Sequence, residues 1–193
     1  MFDSHDSASP DPLVRPTFPV RHRVRRFLWA VVCRILFRPS PVPFHAWRCW
    51  LLRSFGATIG NQNFIYPTAR IWAPWLLQTE DVVTIGPDVE VYNPGGVFLE
   101  HHAIVSQGAY LCGATHDYHS PDFTYVAKPI RCRAYSWVAA RAIVLPGVEL
   151  AEGSVVGAGA VVSRNTEPWT VYAGNPALRV GERRRGAGTG GDG

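Results

Sequence analysis

The sequence predicts an all-β solenoid, a coil of short parallel strands with a helical cap at one end and one protruding loop. Three observations predict it. Apolar residues recur every six positions through the C-terminal half, and small residues recur in a second phase of the same period. Chain-bending residues are dense, with 18 Gly and 16 Pro in 193 residues, which favours many short elements joined by turns over long helices.

The repeat is clearest from Cys132, where steps of six reach Val138, Val144, Leu150, Val156 and Val162, all apolar. Four residues after each stand Ser136, Ala142, Val148, Ser154, Ala160 and Thr166, all small or β-branched. At 47% apolar content, six hits in one phase arise by chance only about once in a hundred tries. A helix turns every 3.6 residues and a strand alternates every two, so neither alone gives a period of six. A coil with three flat sides of six residues does, at about 18 residues per turn. The apolar residue then points inward and the small one turns the corner. Gly147, Gly153, Gly157 and Gly159 suit corners of positive φ.

Upstream the phase is looser. Ile59, Ile65 and Ile71 step by six, as do Ile85 and Val91, and then Leu99, Val105 and Leu111, with Ala103 and Ala109 in small positions. One break falls at Pro94-Gly95-Gly96. A larger one separates Leu111 from Cys132, 21 residues that are no multiple of six. An insertion there must leave the coil as a protruding loop, and loops on rigid scaffolds are where function concentrates.

Outside the coil the composition changes. Residues 1–17 carry Asp3, Asp6 and Asp11 among Ser and Pro with no apolar run, as expected of a disordered segment. Residues 18–56 are basic and aromatic and form the predicted helical cap. Val24, Phe27, Leu28, Val31, Ile35 and Leu36 recur at helical spacing, with Arg21, Arg25 and Arg34 off that face. Pro39, Pro41 and Pro43 stop this helix, and a second runs from about Phe44 to Phe55, ended by Gly56. The first helix has two readings: it covers the open end of the coil, or residues 21–38 lie on anionic lipid as a peripheral membrane contact. The breadth of the apolar face favours a protein partner. Residues 57–180 are the β-helix domain, and 181–193 a disordered tail.

Charged residues at 18% lie below the roughly 25% of an average domain, which excludes a disordered or coiled-coil chain. The net charge of +4 comes largely from the two ends, so no nucleic-acid partner is expected. Phe27–Phe37, the longest apolar stretch, contains Arg34 and is too short to span a bilayer. Four cysteines without C-x-x-C spacing fit a reducing cytoplasm.

The long loop carries THDYHSP, Thr115–Pro121. The imidazole of His116, with an ordinary pKa near 6.5, suits proton abstraction at cellular pH; the alternative is a loop histidine bonding a turn. Asp117 either orients a histidine or makes an Asx turn. His119 makes H-x-x-H with His116, and His101-His102 are adjacent. Without a third ligand on the loop these are weak metal signals, and no metal is expected. If His101 and His102 lie on a strand, they point to opposite faces; one of them is expected to line a cleft near a neighbouring subunit.

Three segments resemble known enzymes: VSQGAYLCGATHDY (Val105–Tyr118), KPIRCRAYSWVAARAIVLPGVELAEGSVVGAGAVVSR (Lys128–Arg164) and PWTVYAGNPA (Pro168–Ala177), with LLRSFGATIG (Leu51–Gly60) in support. The repeat is similar to the left-handed parallel β-helix of the hexapeptide-repeat acyltransferases. The three segments resemble their maltose/galactoside O-acetyltransferase group, and most closely the branch linked to colanic acid and exopolysaccharide synthesis. The resemblance implies a trimeric acetyl-CoA-dependent O-acetyltransferase acting on a sugar hydroxyl, with His116 as general base. It implies coenzyme A contacts at Trp137, Ala140, Ala158, Ser163 and Arg164, with the Ala140 N–H as oxyanion donor. Asn93, Asp117 and Tyr118 are the expected acceptor contacts, with Glu90 and Tyr92 nearby. One departure is Leu178, where the family usually has a basic residue; Arg179 follows it. An amino-sugar N-acetyltransferase or a zinc-dependent hydratase or lyase on the same coil, using His101 or His102, His116 and His119, are the alternative activities.

Overall fold

A computed structural model describes residues 17–184; the disorder expected of residues 1–16 and 185–193 lies outside the described residues. Three parallel sheets form the sides of a prism. The first side stacks Thr58–Ile59, Leu77–Thr79, Val97–Leu99, Ile130–Cys132 and Glu149–Leu150. The second stacks Phe64–Ile65, Thr84–Ile85, Ile104–Val105, Trp137–Val138, Val155–Val156 and Thr170–Ala173, closed by the antiparallel strand Leu178–Glu182. The third stacks Arg70–Ile71, Glu90–Tyr92, Tyr110–Cys112, Ile143–Val144 and Val161–Val162. The last strand takes in Gly181 and Glu182, so ordered structure runs past residue 180, where the tail was expected to start.

The period of six sets what is buried. Cys132, Val138, Val144, Leu150, Val156 and Val162 are each at most 2% exposed and stack as one apolar column. Tyr135, Arg141, Gly147, Gly153 and Gly159 take the positive φ of successive corners. Gly157 is not among them, and neither are Arg133, Ala139, Leu145 and Ala151, which follow the inward residues.

From Ile130 to Val162 the coil takes 18 residues per turn, with Trp137 opposite Val155 and Ile143 opposite Val161. From Thr58 to Leu111 it takes 20, with Thr58 opposite Gln78 and Phe64 opposite Thr84. All the extra residues fall on one edge, between the third side and the first. They include the 3-10 turn Pro74–Leu76, the Pro94-Gly95-Gly96 turn and the long insertion after Cys112. The sequence reading missed the first of these.

Helix α1 (Val20–Val32), continued by a π turn Cys33–Phe37, packs along this irregular edge. Trp29 is buried and its Nε1 donates to the Ile71 carbonyl at 2.7 Å. The Arg25 and Arg26 guanidiniums lie over the Trp75 and Trp72 rings, at 4.3 and 4.2 Å. Helix α2 (His45–Ser54) covers the open end, burying Arg48, Cys49, Leu51 and Leu52 against the first coil. Its stop is as expected, with Gly56 at φ +89°. The apolar stripe of α1 is turned the other way: Phe27 is 68% and Ile35 63% exposed. The sequence reading that this stripe seeks a protein partner within the chain is therefore corrected. The inward face of α1 is the aromatic and cationic one.

Candidate active site

The long insertion folds as a β-hairpin of Ala114–His116 against Tyr125–Ala127, with Thr115 opposite Val126 and His116 opposite Tyr125. Two glycines let it attach. A side chain at Gly113 would meet the Tyr92 carbonyl at 2.5 Å, and one at Gly95 would meet the Lys128 backbone at 2.5 Å where the chain returns. The Tyr92 and Tyr125 hydroxyls bond at 3.1 Å across the hairpin base. Burial and that bond push the Tyr125 phenol well above its ordinary range, so it stays protonated. Phe18 meets the Tyr125 ring at 5.6 Å, tying the start of α1 to the hairpin.

His116 ends the outgoing strand, exposed, with its ring stacked on Phe123 at 4.5 Å and edge-on to Tyr125 at 5.6 Å. Its Nδ1 lies 2.8 Å from the Phe123 carbonyl. A carbonyl only accepts, so Nδ1 carries the proton and Nε2 presents its lone pair. Phe123 offers that carbonyl from a backbone of φ +46°, braced by its N–H to the Ser120 carbonyl at 3.0 Å. The imidazole is thus held in the tautomer a general base requires.

The other loop residues serve the turn. Asp117 Oδ1 accepts the His119 N–H at 3.0 Å, the Asx turn that was one of its two readings. Tyr118 is 76% exposed at the tip, tilted against His119 at 4.3 Å.

The expected coenzyme A contacts lie elsewhere on the prism. Trp137 stands outward on the second side, its Nε1 donating to Ser106 Oγ at 2.8 Å. Ala140 and Ala158 turn the edge between the second and third sides, one coil apart, joined by Gly159 N–H to the Ala140 carbonyl at 2.9 Å. The Ala140 N–H makes no hydrogen bond among the described residues. Ser163 and Arg164 are exposed just after the third side's last strand. His116 and this stripe therefore occupy different edges of one chain. Leu178 is exposed, and Arg179 is engaged by Glu167 at 3.1 Å and Glu182 at 2.9 Å.

Two expectations are corrected. Asn93 is fully buried; its Oδ1 accepts the Ala73 N–H at 3.0 Å and its Nδ2 donates to the Ala73 carbonyl at 2.9 Å. Both ends of the amide are used inside the irregular edge, so it cannot reach an acceptor. His101 and His102 sit at a corner rather than on a strand, and at φ +61° His102 brings its Nδ1 within 3.2 Å of the Nδ1 of His101. Both rings also meet Tyr135, at 5.1 and 4.8 Å. Glu90 pairs with Arg70 at 3.2 Å on the outer face. Among the described residues, no three of His, Cys, Asp and Glu gather as a metal site.

Sequence reasoning missed the ring cluster of Phe18, His22, Trp72, Tyr92 and Tyr125 that seats the hairpin. Its only signal was aromatic content next to the breaks in phase.

No family model matches the chain. An acetyltransferase named for colanic acid biosynthesis, WcaF of Escherichia coli, is 39% identical over 156 residues, 81% of this chain and 86% of that one. A hexapeptide-repeat acetyltransferase of Vibrio cholerae, solved with acetyl coenzyme A, superposes with a TM-score of 0.75 at 20% identity, covering 86% of this chain and 91% of that one. A galactoside acetyltransferase in complex with coenzyme A gives a TM-score of 0.71 at 18% identity, covering 88% and 86%. The structural likenesses carry the coil. With the identity to WcaF over four fifths of its length, the chain belongs to the hexapeptide-repeat acetyltransferases, in the colanic acid acetyltransferase branch.

Proposed function

We propose that this protein transfers acetyl from acetyl-CoA to a hydroxyl of a saccharide in exopolysaccharide synthesis. The observation that carries the reading is the held tautomer of His116, with a free Nε2 on an exposed hairpin. Nε2 takes the proton of the acceptor hydroxyl as its oxygen attacks the thioester carbonyl. The Ala140 N–H donates to the oxyanion, and the imidazolium returns the proton to the departing thiolate, releasing acetylated sugar and coenzyme A. Trp137, Ala158, Ser163 and Arg164 line the donor's path, and Asp117 and Tyr118 border the acceptor from the hairpin tip.

The separation of His116 from the Trp137–Ala140 stripe supports a homotrimer in which one copy's hairpin reaches over the next copy's coil. A cytoplasmic location fits the acetyl-CoA supply. Release of free thiol from acetyl-CoA with saccharide acceptors tests the activity. His116→Ala is expected to lower kcat by about 10²–10⁴-fold with an unchanged circular dichroism spectrum, and near-normal turnover would remove His116 from the mechanism. His116→Ala and Trp137→Ala chains, each inactive alone, should regain part of the activity when co-expressed. No regain would put both groups in one chain's site.

A further inference from the structure

We propose that the outward face of α1 docks this protein on an anionic lipid surface. The helix packs on its own coil with Trp29, Arg25 and Arg26 and leaves its more apolar face uncovered. Val20, Val24, Phe27, Leu28, Val31 and Ile35 are each 40–70% exposed on that face. With its π continuation the helix runs from Val20 to Phe37, about 27 Å of surface. Trp47 and Trp50 of α2, stacked at 5.1 Å and both exposed, extend the patch with the amphipathic rings that favour a membrane–water boundary.

Charge selects lipid over another protein surface as the occupant. At 100° per residue, Arg21 lies on one border of the apolar stripe and Arg23 and Arg34 on the other, with Arg38 just beyond its end. All four are exposed and make no ion pair among the described residues. From Pro12 to Thr79 the chain has no Asp or Glu, so a second copy of this face offers these arginines only like charge. A bilayer carrying anionic headgroups offers both partners, acyl chains for the stripe and phosphates for the borders. No helix among the described residues is long and apolar enough to cross a membrane, so the contact lies in the plane of the surface.

The test is sedimentation of the full chain with vesicles of phosphatidylcholine alone or mixed with phosphatidylglycerol. The protein is expected to pellet with the mixed vesicles, about tenfold less with the neutral ones and less in high salt. Phe27→Glu with Ile35→Glu should abolish pelleting, and Arg23→Gln with Arg34→Gln should reduce it to the neutral-vesicle level. The oligomeric mass and melting temperature should not change in either pair. Three results would overturn the proposal: no pelleting with mixed vesicles, equal pelleting with both kinds, or a fall in oligomeric mass in the Phe27→Glu/Ile35→Glu chain. The last would show that a second copy covers the face.

Discussion

Between Ile130 and Val162 every side of the coil holds six residues and every inward position is filled by Cys, Val or Leu. Between Thr58 and Leu111 two sides keep that spacing, while the third edge takes two extra residues per turn, from Ile71 to Thr79 and from Val91 to Leu99. The polar side chains buried in the lower coils are small hydroxyls, Ser136, Ser154, Thr166 and Thr170. The upper end buries larger ones, the guanidinium of Arg48 and the amides of Asn63 and Asn93. Arg48 donates to the carbonyls of Ile65, Pro41 and Val42 and to Ser40 Oγ. Asn63 bridges Thr79 Oγ1 and the Val83 N–H, both at 2.7 Å. A strict repeat fixes a rigid stack; relaxing one edge of it gives room to seat a helix and anchor a hairpin without disturbing the other two sides.

The sharpest way to break the comparison is to make the hairpin turn as tight as those above it. Removing residues 114–126 leaves Leu111 and Cys132 separated by the same step as Val91 and Leu99. The coil is expected to fold, with its β-type circular dichroism kept and its melting temperature lowered by the loss of the Tyr92–Tyr125 bond. Thiol release should fall by about 10³-fold or more. A chain that fails to fold would show that the hairpin belongs to the scaffold. The next largest effect is at the capped end. Arg48→Met should cost about 3 kcal/mol in denaturant unfolding, because several buried carbonyls lose their donor at once. A loss below about 1 kcal/mol would mean that those carbonyls find other partners.

How much of this was legible follows from what each residue type encodes. The column Cys132 to Val162 was readable because burial is a one-dimensional signal when the period is strict. The protruding loop was readable because 21 residues cannot fit a stack of sixes. The break at Pro74-Trp75-Leu76 was hidden, since the inward column there continues through a threonine, Thr79. Asn93 misled because an amide serves equally well to bind a sugar hydroxyl or to close a buried peptide, and sequence does not say which way it points. The α1 stripe was recognised, but amphipathicity states only that one face is apolar. It does not reveal that arginines stacked on Trp72 and Trp75 supply the inward contacts. The tautomer of His116 depends on the Phe123 backbone at φ +46°, which no pattern in the chain records.

Asn93→Ala sharpens the comparison within the irregular edge. It leaves the buried Ala73 N–H without its partner, while the Ala73 carbonyl keeps the Leu76 N–H at 3.0 Å, and should cost about 2 kcal/mol of stability with no change in acceptor KM. A raised KM at unchanged stability would return Asn93 to the binding site.

The smallest effect expected is at His22, where the helix meets the same edge. Its ring lies between Phe18, Trp72 and Trp75, and its Nε2 is buried without a hydrogen bond among the described residues. Burial, and then the neighbouring Arg26 and Arg25 charges, hold its pKa below the ordinary 6.5. A base with a depressed folded pKa binds its proton first in the unfolded chain, so stability is greatest above that ordinary value and is lost as pH falls. Melting temperature should therefore drop by a few degrees between about pH 7.5 and about pH 5.5, and His22→Phe, which keeps the ring contacts, should flatten part of that slope. The lower coils have no histidine of their own, so the change should appear in hydrogen exchange of α1 before it appears in residues 130–162. An unaltered slope in the His22→Phe chain would move the pH sensitivity to another group and leave the α1 contact indifferent to protonation.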